Sequence, residues 1–394
     1  MKEQFYLSMH DLWNRKKNVL SLLLQMTLTF LLIQFIFNAV FELQNLRQEV
    51  GRLTEVQDMY FLLDVSTTEQ FFQAFEPENI EKVISFFEFI FENESFKALP
   101  LQTNTFLPPD ERFDAFEGNM GSTMSFMYAT SLLEALFDLN TISGRFFNET
   151  DYVNHYDYIP VVLGFDFMDA FEVGDIFEDS FHGYLENFKV IGFLEQNSTY
   201  VDLMSSWHFQ SLDRVMLRPL NQNHSLDVSY FLIPLSKIYV IPESTDQMRE
   251  IVTYSDELGL FSFMFRNMND QLELLSEERM MWIQSQLFLT GLITILTLVS
   301  FTISLLQFID KKRHEFGIHY LVGARNKDIS FRIAFQVIPF LIVGSLIRIG
   351  LLNQMDYGWL TMGISLLLSI LICLIPLVRM SNLNLSALIR WRIT

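Results

Sequence analysis

The stretch "KKRHEFGIHYLVGARNKDI", residues 311 to 329, brings His314, Glu315 and His319 together in one short run, the residue types of a zinc hydrolase. A metalloprotease helix carries His-Glu-x-x-His, because histidines four apart put both imidazoles on one face with the glutamate beside them as base. Here the spacing is five. Five helical residues turn through roughly 500°, which leaves His314 and His319 about 140° apart and unable to share an ion. No Gly-x-x-x-x-Gly-Lys-Ser/Thr phosphate loop, no Gly-x-Ser-x-Gly nucleophile elbow and no metal spacing among His155, His182, His208 and His224 occurs elsewhere. The one cysteine, Cys373, lies in an apolar run, so no intrachain disulfide or thiol pair can form. The sequence predicts a non-catalytic chain that binds no cofactor and no metal.

The elements on either side of 311–329 explain its setting. The chain has 394 residues, 50% of them hydrophobic, with a mean hydropathy of +0.23, which points to a membrane protein. Four apolar runs reach the roughly 20 residues needed to cross a bilayer: 18–40, 283–309, 330–352 and 358–378. The first is longer than a signal-peptide core and no Ala-x-Ala follows it, so it reads as a retained anchor. Basic residues cluster at Arg15, Lys16 and Lys17, at Lys311, Lys312, Arg313, Arg325 and Lys327, and at Arg379, Arg390 and Arg392. By the positive-inside rule these segments share the cytoplasmic side, including the tails 1–17 and 379–394. Only 353–357 is left as an outer loop between the last two spans.

Residues 41–282 then lie outside the membrane. They hold 13 Lys plus Arg against 41 Asp plus Glu, a net of −28, which disfavours nucleic acid and anionic surfaces as partners there. Helical apolar spacing on both flanks predicts stalks over about 41–57 and 265–282 that continue the spans outward. Between them 59–65, 158–164, 188–194 and 236–242 read as strands, 77–93 as an amphipathic helix, and 244–259 as a helix capped by Ser244 and stopped by Gly259. This is an α+β domain inserted between the first two of four transmembrane helices. Its two ends predict a lower part, 58–95 with 224–264, and an inserted upper part, 96–223. The amphipathic stretches 126–137 and 205–215 in that upper part would offer Phe126 and Trp207 to cargo or to a second protomer. Inside the membrane, Gln34 and Asn38 are spaced for a contact between helices, and Arg332 and Arg348 sit near opposite ends of the third run, where snorkelling would place them.

Two motifs carry a family resemblance. Gly144, Arg145 and Phe147, then Val161 to Gly164, then Val173, Gly174 and Asp175, then Val190, Ile191 and Gly192 resemble, in order and spacing, the exterior core domain of MacB-like ABC transporter permeases. Lys312, Arg313, Glu315, Gly317, Ile318, Gly323 and Ala324 resemble the cytoplasmic loop of FtsX-like permeases, here within 310–329. The closing "RMSNLNLSALIR" is similar to that family's C-terminal motif, with Leu385 where proline is usual.

The resemblance implies that Arg313, Glu315, Phe316, Gly317, Ile318, Gly323 and Ala324 form a coupling helix that docks on a separate ATPase. It implies a permease subunit of the cell membrane working with two ATPase copies, which bind ATP and magnesium, and with a second permease copy, among membrane lipids. An extracytoplasmic adaptor could join them. ATP hydrolysis would then move the exterior domain mechanically, to export or extract a peptide, antimicrobial or lipid-linked molecule. The other reading is an FtsX-like regulator that activates a cell-wall hydrolase; division-type FtsX proteins resemble this chain in their four spans but carry a smaller exterior segment.

Overall fold

The structure is a computed structural model that describes residues 2–13, 15–55, 58–92, 96–105, 110–118, 121–122, 124–152, 158–181, 184–205, 208–220, 228–340, 342–343 and 358–381. The chain divides into two compact units, Met1–Gln44 with Glu277–Thr394, and Asn45–Ser276.

The first unit is helical. Its elements are α1 (Lys2–Trp13), α2 (Lys16–Thr54), α3 (Met268–Leu321), α4 (Asn326–Ala334) and α5 (Gly358–Ser381), of which α2 and α3 run on into the second unit. α2 and α3 are each long and apolar enough to cross a membrane. The predicted runs 18–40 and 283–309 lie within these helices, and 358–378 lies within the 24-residue α5, about 36 Å long at the helical rise. The run 330–352 begins inside α4 and is described only as far as 343. Met26, Phe30, Phe301, Leu305, Val337, Phe340 and Ile372 pack between these helices, and Thr29 and Thr297 join hydroxyls across α2 and α3 at 3.0 Å. Leu20, Leu24, Leu28 and Phe35 on α2, and Leu287, Phe288, Leu292 and Ile295 on α3, are exposed instead. A water-soluble surface does not carry so continuous an apolar face, and a lipid-facing one does. Gln34 donates to Asn38 at 2.8 Å within α2 itself.

The second unit is the α+β fold. Its first sheet has the order Phe263–Asn267, Tyr60–Asp64, Ile238–Pro242, Phe96–Pro100, antiparallel throughout. Alternation along these strands sends Leu62, Ala98, Ile238, Val240 and Phe263 to one face, under the helices Ile80–Phe91 and Thr245–Leu258. Helix 80–91 buries Val83, Phe86, Phe87 and Ile90, the spacing of one helical stripe. The opposite face, with Phe61, Leu99, Tyr239 and Ile241, packs against Leu46, Val50 and Leu53 of α2. The second sheet has the order Thr103–Thr105, Ser125–Ala129, Val215–Pro219, Ile159–Leu163, Tyr184–Leu194, Thr141–Gly144, with Ile176–Phe181 paired to Tyr184–Leu194.

Three details differ from the sequence reading. Phe96–Pro100, placed in the upper part, is an edge strand of the first sheet, because its backbone pairs with Ile238–Pro242. Residues 126–137 are not one amphipathic element but a strand end followed by the helix Ser131–Phe137. Phe126 therefore points into the core, 2% exposed, where it offers nothing to cargo or to a protomer. Trp207 lies outside the described residues.

Candidate functional site

α3 does not end with its apolar run. Its 54 residues continue without a break through His314 and His319 to Leu321, so most of the 310–329 segment, implied by resemblance to be a loop with a coupling helix, forms the last turns of α3. The helix then stops at Gly323, whose φ of +100° is the left-handed conformation that a C-terminal cap requires. The Ala324 amide closes back on the His319 carbonyl at 2.9 Å. Arg325 opens α4, and its amide is capped by the Asp328 carboxylate at 2.9 Å.

The helix phase sorts the coupling candidates into two sets. Phe316 and Gly317 are buried, Phe316 among Phe308, Ile309, Ile329 and Ile333. Phe316 thus holds the turn together and cannot touch a partner as placed, which corrects the docking role drawn from resemblance. Ile318, Leu321 and Val322 are exposed, Val322 at 83%, and Gly323 lies beside them with Ala324 partly covered. Arg313 is half-buried.

Glu315 belongs to neither set. Its Oε2 accepts from Lys312 Nζ at 2.7 Å and its Oε1 from Arg332 Nη2 at 2.7 Å. Arg332 also donates from Nη2 and Nε to Asp11 Oδ2 at 2.6 and 3.1 Å, and Lys312 Nζ lies 2.9 Å from Asp11 Oδ1. The four side chains form a closed ring of alternating charge that binds α1, the end of α3 and α4. Arg332 and Asp11 are 1% and 2% exposed, and the guanidinium also rests over the Phe316 ring at 5.3 Å. Such a pair is tolerated under cover because each charge meets an opposite one through a hydrogen bond. Burial alone would raise the Glu315 carboxyl. The bonds from Lys312 and Arg332 outweigh it and hold that group, which lies beyond the apolar run 283–309, below the ordinary carboxylate range. Beside the ring Gln336 donates to Ser8 Oγ at 2.9 Å, and Arg15 to Ser304 Oγ at 3.1 Å.

Sequence reasoning missed Asp11, and it read Arg332 as a snorkelling cation at a membrane edge. Asp11's one visible signal is a carboxylate close to the run Arg15, Lys16 and Lys17.

The exterior motif residues are architectural. Gly144 and Gly192 face each other in register; a Cβ on Gly144, where φ is +76°, would lie 2.2 Å from the Ile191 carbonyl oxygen. Gly164 passes equally close to Leu212, Phe147 is buried, and Arg145 donates to Asp151 at 3.0 Å. Asp175 accepts from Arg112 at 2.9 Å in the turn that includes Val173 and Gly174. Gly144, Gly164 and Gly192 thus serve close backbone packing while Val173 to Asp175 form a surface turn, and no cleft among the described residues gathers the motif.

In the sequence the α+β unit lies between two helices that are each long and apolar enough to cross a membrane. Residues 287–357 match the family model of the FtsX-like permease C-terminal segment. No curated protein matches the chain. Two solved structures are similar to part of it. The periplasmic region of MacB from Actinobacillus actinomycetemcomitans is 15% identical, covering 56% of this chain and 92% of that one, with a TM-score of 0.33. The extracellular domain of the noncanonic ABC-type transporter YknZ from Gram-positive bacteria is 13% identical, covering 52% and 99%, with a TM-score of 0.26. The likeness to FtsX-like permeases rests on the match over 287–357.

Proposed function

We propose that the chain is the permease subunit of a MacB-like ABC system, in which the turn after α3 receives force from a separate ATPase and α2 and α3 pass it outward. The observation that carries this reading is the exposed apolar tip Ile318, Leu321 and Val322 at the end of an unbroken 54-residue helix. An apolar patch at the end of a helix, followed by the exposed Arg325, fits a groove on a soluble protein better than it fits water. Because the helix below the tip is continuous and its last turns are held by the ion ring, displacement of the tip moves the spanning helix as a rigid rod. Two ATPase copies would bind ATP and magnesium, and a second permease copy would complete the assembly in the cell membrane. The acidic domain 41–282 would face outside and handle a peptide, antimicrobial or lipid-linked molecule there.

The test is co-expression with a candidate ABC ATPase. Val322→Asp and Leu321→Asp place charges on the tip and should abolish both co-purification and stimulated ATP hydrolysis, while the exterior Val173→Asp does neither. If the tip variants retain the ATPase and its stimulation at the parent level, this docking role is wrong.

A further inference from the structure

α1 presents two opposite edges. One carries Ser8 and Asp11, both buried, which bond to Gln336 and Arg332. The other carries Tyr6, Met9 and Trp13, exposed at 73%, 44% and 77%. Spacings of three and four residues line these three side chains on one stripe, centred roughly 170° around the helix from Asp11. So apolar a stripe has no reason to face water, and its continuation names its occupant. Past Arg15 and Lys16 the exposed apolar series resumes at Leu20, Leu24 and Leu28, on the lipid-facing side of α2. Tyr and Trp are the side chains that settle at the headgroup boundary, and the exposed Lys16 between the two series suits a lipid phosphate.

We propose that α1 is a membrane-seated clamp: its Tyr6, Met9 and Trp13 edge lies in the lipid interface, while Asp11 on the far edge is a positioning residue for the coupling turn. The partner is a phospholipid surface. Asp11 acts by fixing Arg332 and Lys312, which together orient Glu315 and the last turns of α3. Of the four ring members Asp11 alone belongs to α1, so removing its charge unties α1 from the turn and leaves the Lys312 and Arg332 bonds to Glu315 in place. The clamp gives the proposed coupling role its reference point, and so rests on that reading for its use but not for its geometry.

The experiment uses the full chain in phosphatidylcholine and phosphatidylglycerol nanodiscs, with Cys373→Ser as background. A spin label on Tyr6→Cys should be reached by oxygen and shielded from a water-soluble nickel chelate. A label on Val322→Cys should gain mobility by about two-fold or more when Asp11→Asn is added, keep near-parental mobility with Asp11→Glu, and not respond to His10→Asn. Should Asp11→Asn fail to assemble, Ser8→Ala, which removes only the Gln336 bond, takes its place with a smaller rise. A Tyr6 label open to the chelate, or a Val322 label indifferent to Asp11→Asn and Ser8→Ala, overturns the clamp. A label that loosens while the unlabelled Asp11→Asn chain, with Val322 intact, still stimulates the ATPase at the parent level supports the clamp and refutes the coupling reading instead.

Discussion

Replacing Arg332 with methionine is the sharpest perturbation of the ring. Met keeps most of the side-chain length but removes three hydrogen bonds to two carboxylates, leaving Asp11, at 2% exposure, with Lys312 alone. Removing one partner of a buried pair costs about 3–5 kcal/mol, chiefly because the other charge stays buried without compensation. The Glu315 arm is about one third exposed, and its loss adds less than about 1 kcal/mol. Lys312→Met removes a partly exposed ammonium that water can replace, and should cost about 1 kcal/mol. Arg332→Met with Asp11→Asn should be less harmful than Arg332→Met alone, since the stranded charge is gone; a coupling of about 0.5–3 kcal/mol is the size seen for side chains in one network. Equilibrium unfolding in mixed micelles of the full chain, of Arg332→Met, Lys312→Met and Asp11→Asn, and of the Arg332→Met/Asp11→Asn double variant measures these differences. If Arg332→Met is no worse than Lys312→Met, or if the double variant is the plain sum of the two single ones, the ring is not a buried, mutually dependent unit.

Two further outcomes follow from the same structure. The Glu315 carboxyl is held below its ordinary range, so its contribution is complete above its unfolded pKa of about 4.3 and is lost as pH falls from there through the lower folded value; the melting temperature should therefore drop more steeply below about pH 4.3 in the parent than in Glu315→Gln, and parallel curves would contradict this. Gly144→Ala combines positive φ with a Cβ 2.2 Å from a carbonyl oxygen, whereas Gly174→Ala meets positive φ in open space. The second should cost about 1–2 kcal/mol and the first clearly more, read as the protease concentration that cleaves the exterior unit, and equal sensitivity would refute the close approach.

Much of the second unit was legible because its signals are local. Thr245–Leu258 sits between Ser244, which forms a reciprocal capping box with Gln247, and Gly259 at φ +70°, and both ends are read from residues a few positions apart. The strands at 60–64, 159–163 and 238–242 lie within the predicted stretches for the same reason, and α2 and α3 follow from length and apolar content alone. Strand partners were not legible. That Phe96–Pro100 joins Ile238–Pro242 depends on pairing across more than a hundred residues, which no local pattern encodes.

The coupling turn divides along the same line. Its presence, its basic flank and its stop at Gly323 belong to the sequence. Phe316, Ile318, Tyr320, Leu321 and Val322 put apolar side chains nearly all round the helix, so periodicity does not say which face is covered. Only packing against Ile329 and Ile333 turns Phe316 inward and leaves Val322 outside. Charge is equally ambiguous: a lone arginine at the edge of an apolar run reads as a snorkelling cation until its partner is known. For Arg332 that partner, Asp11, is 321 residues away in the chain. An ion pair is a contact in space whose energy depends on burial and on the oxygen that meets each N–H, and both are fixed only once α1, α3 and α4 have come together.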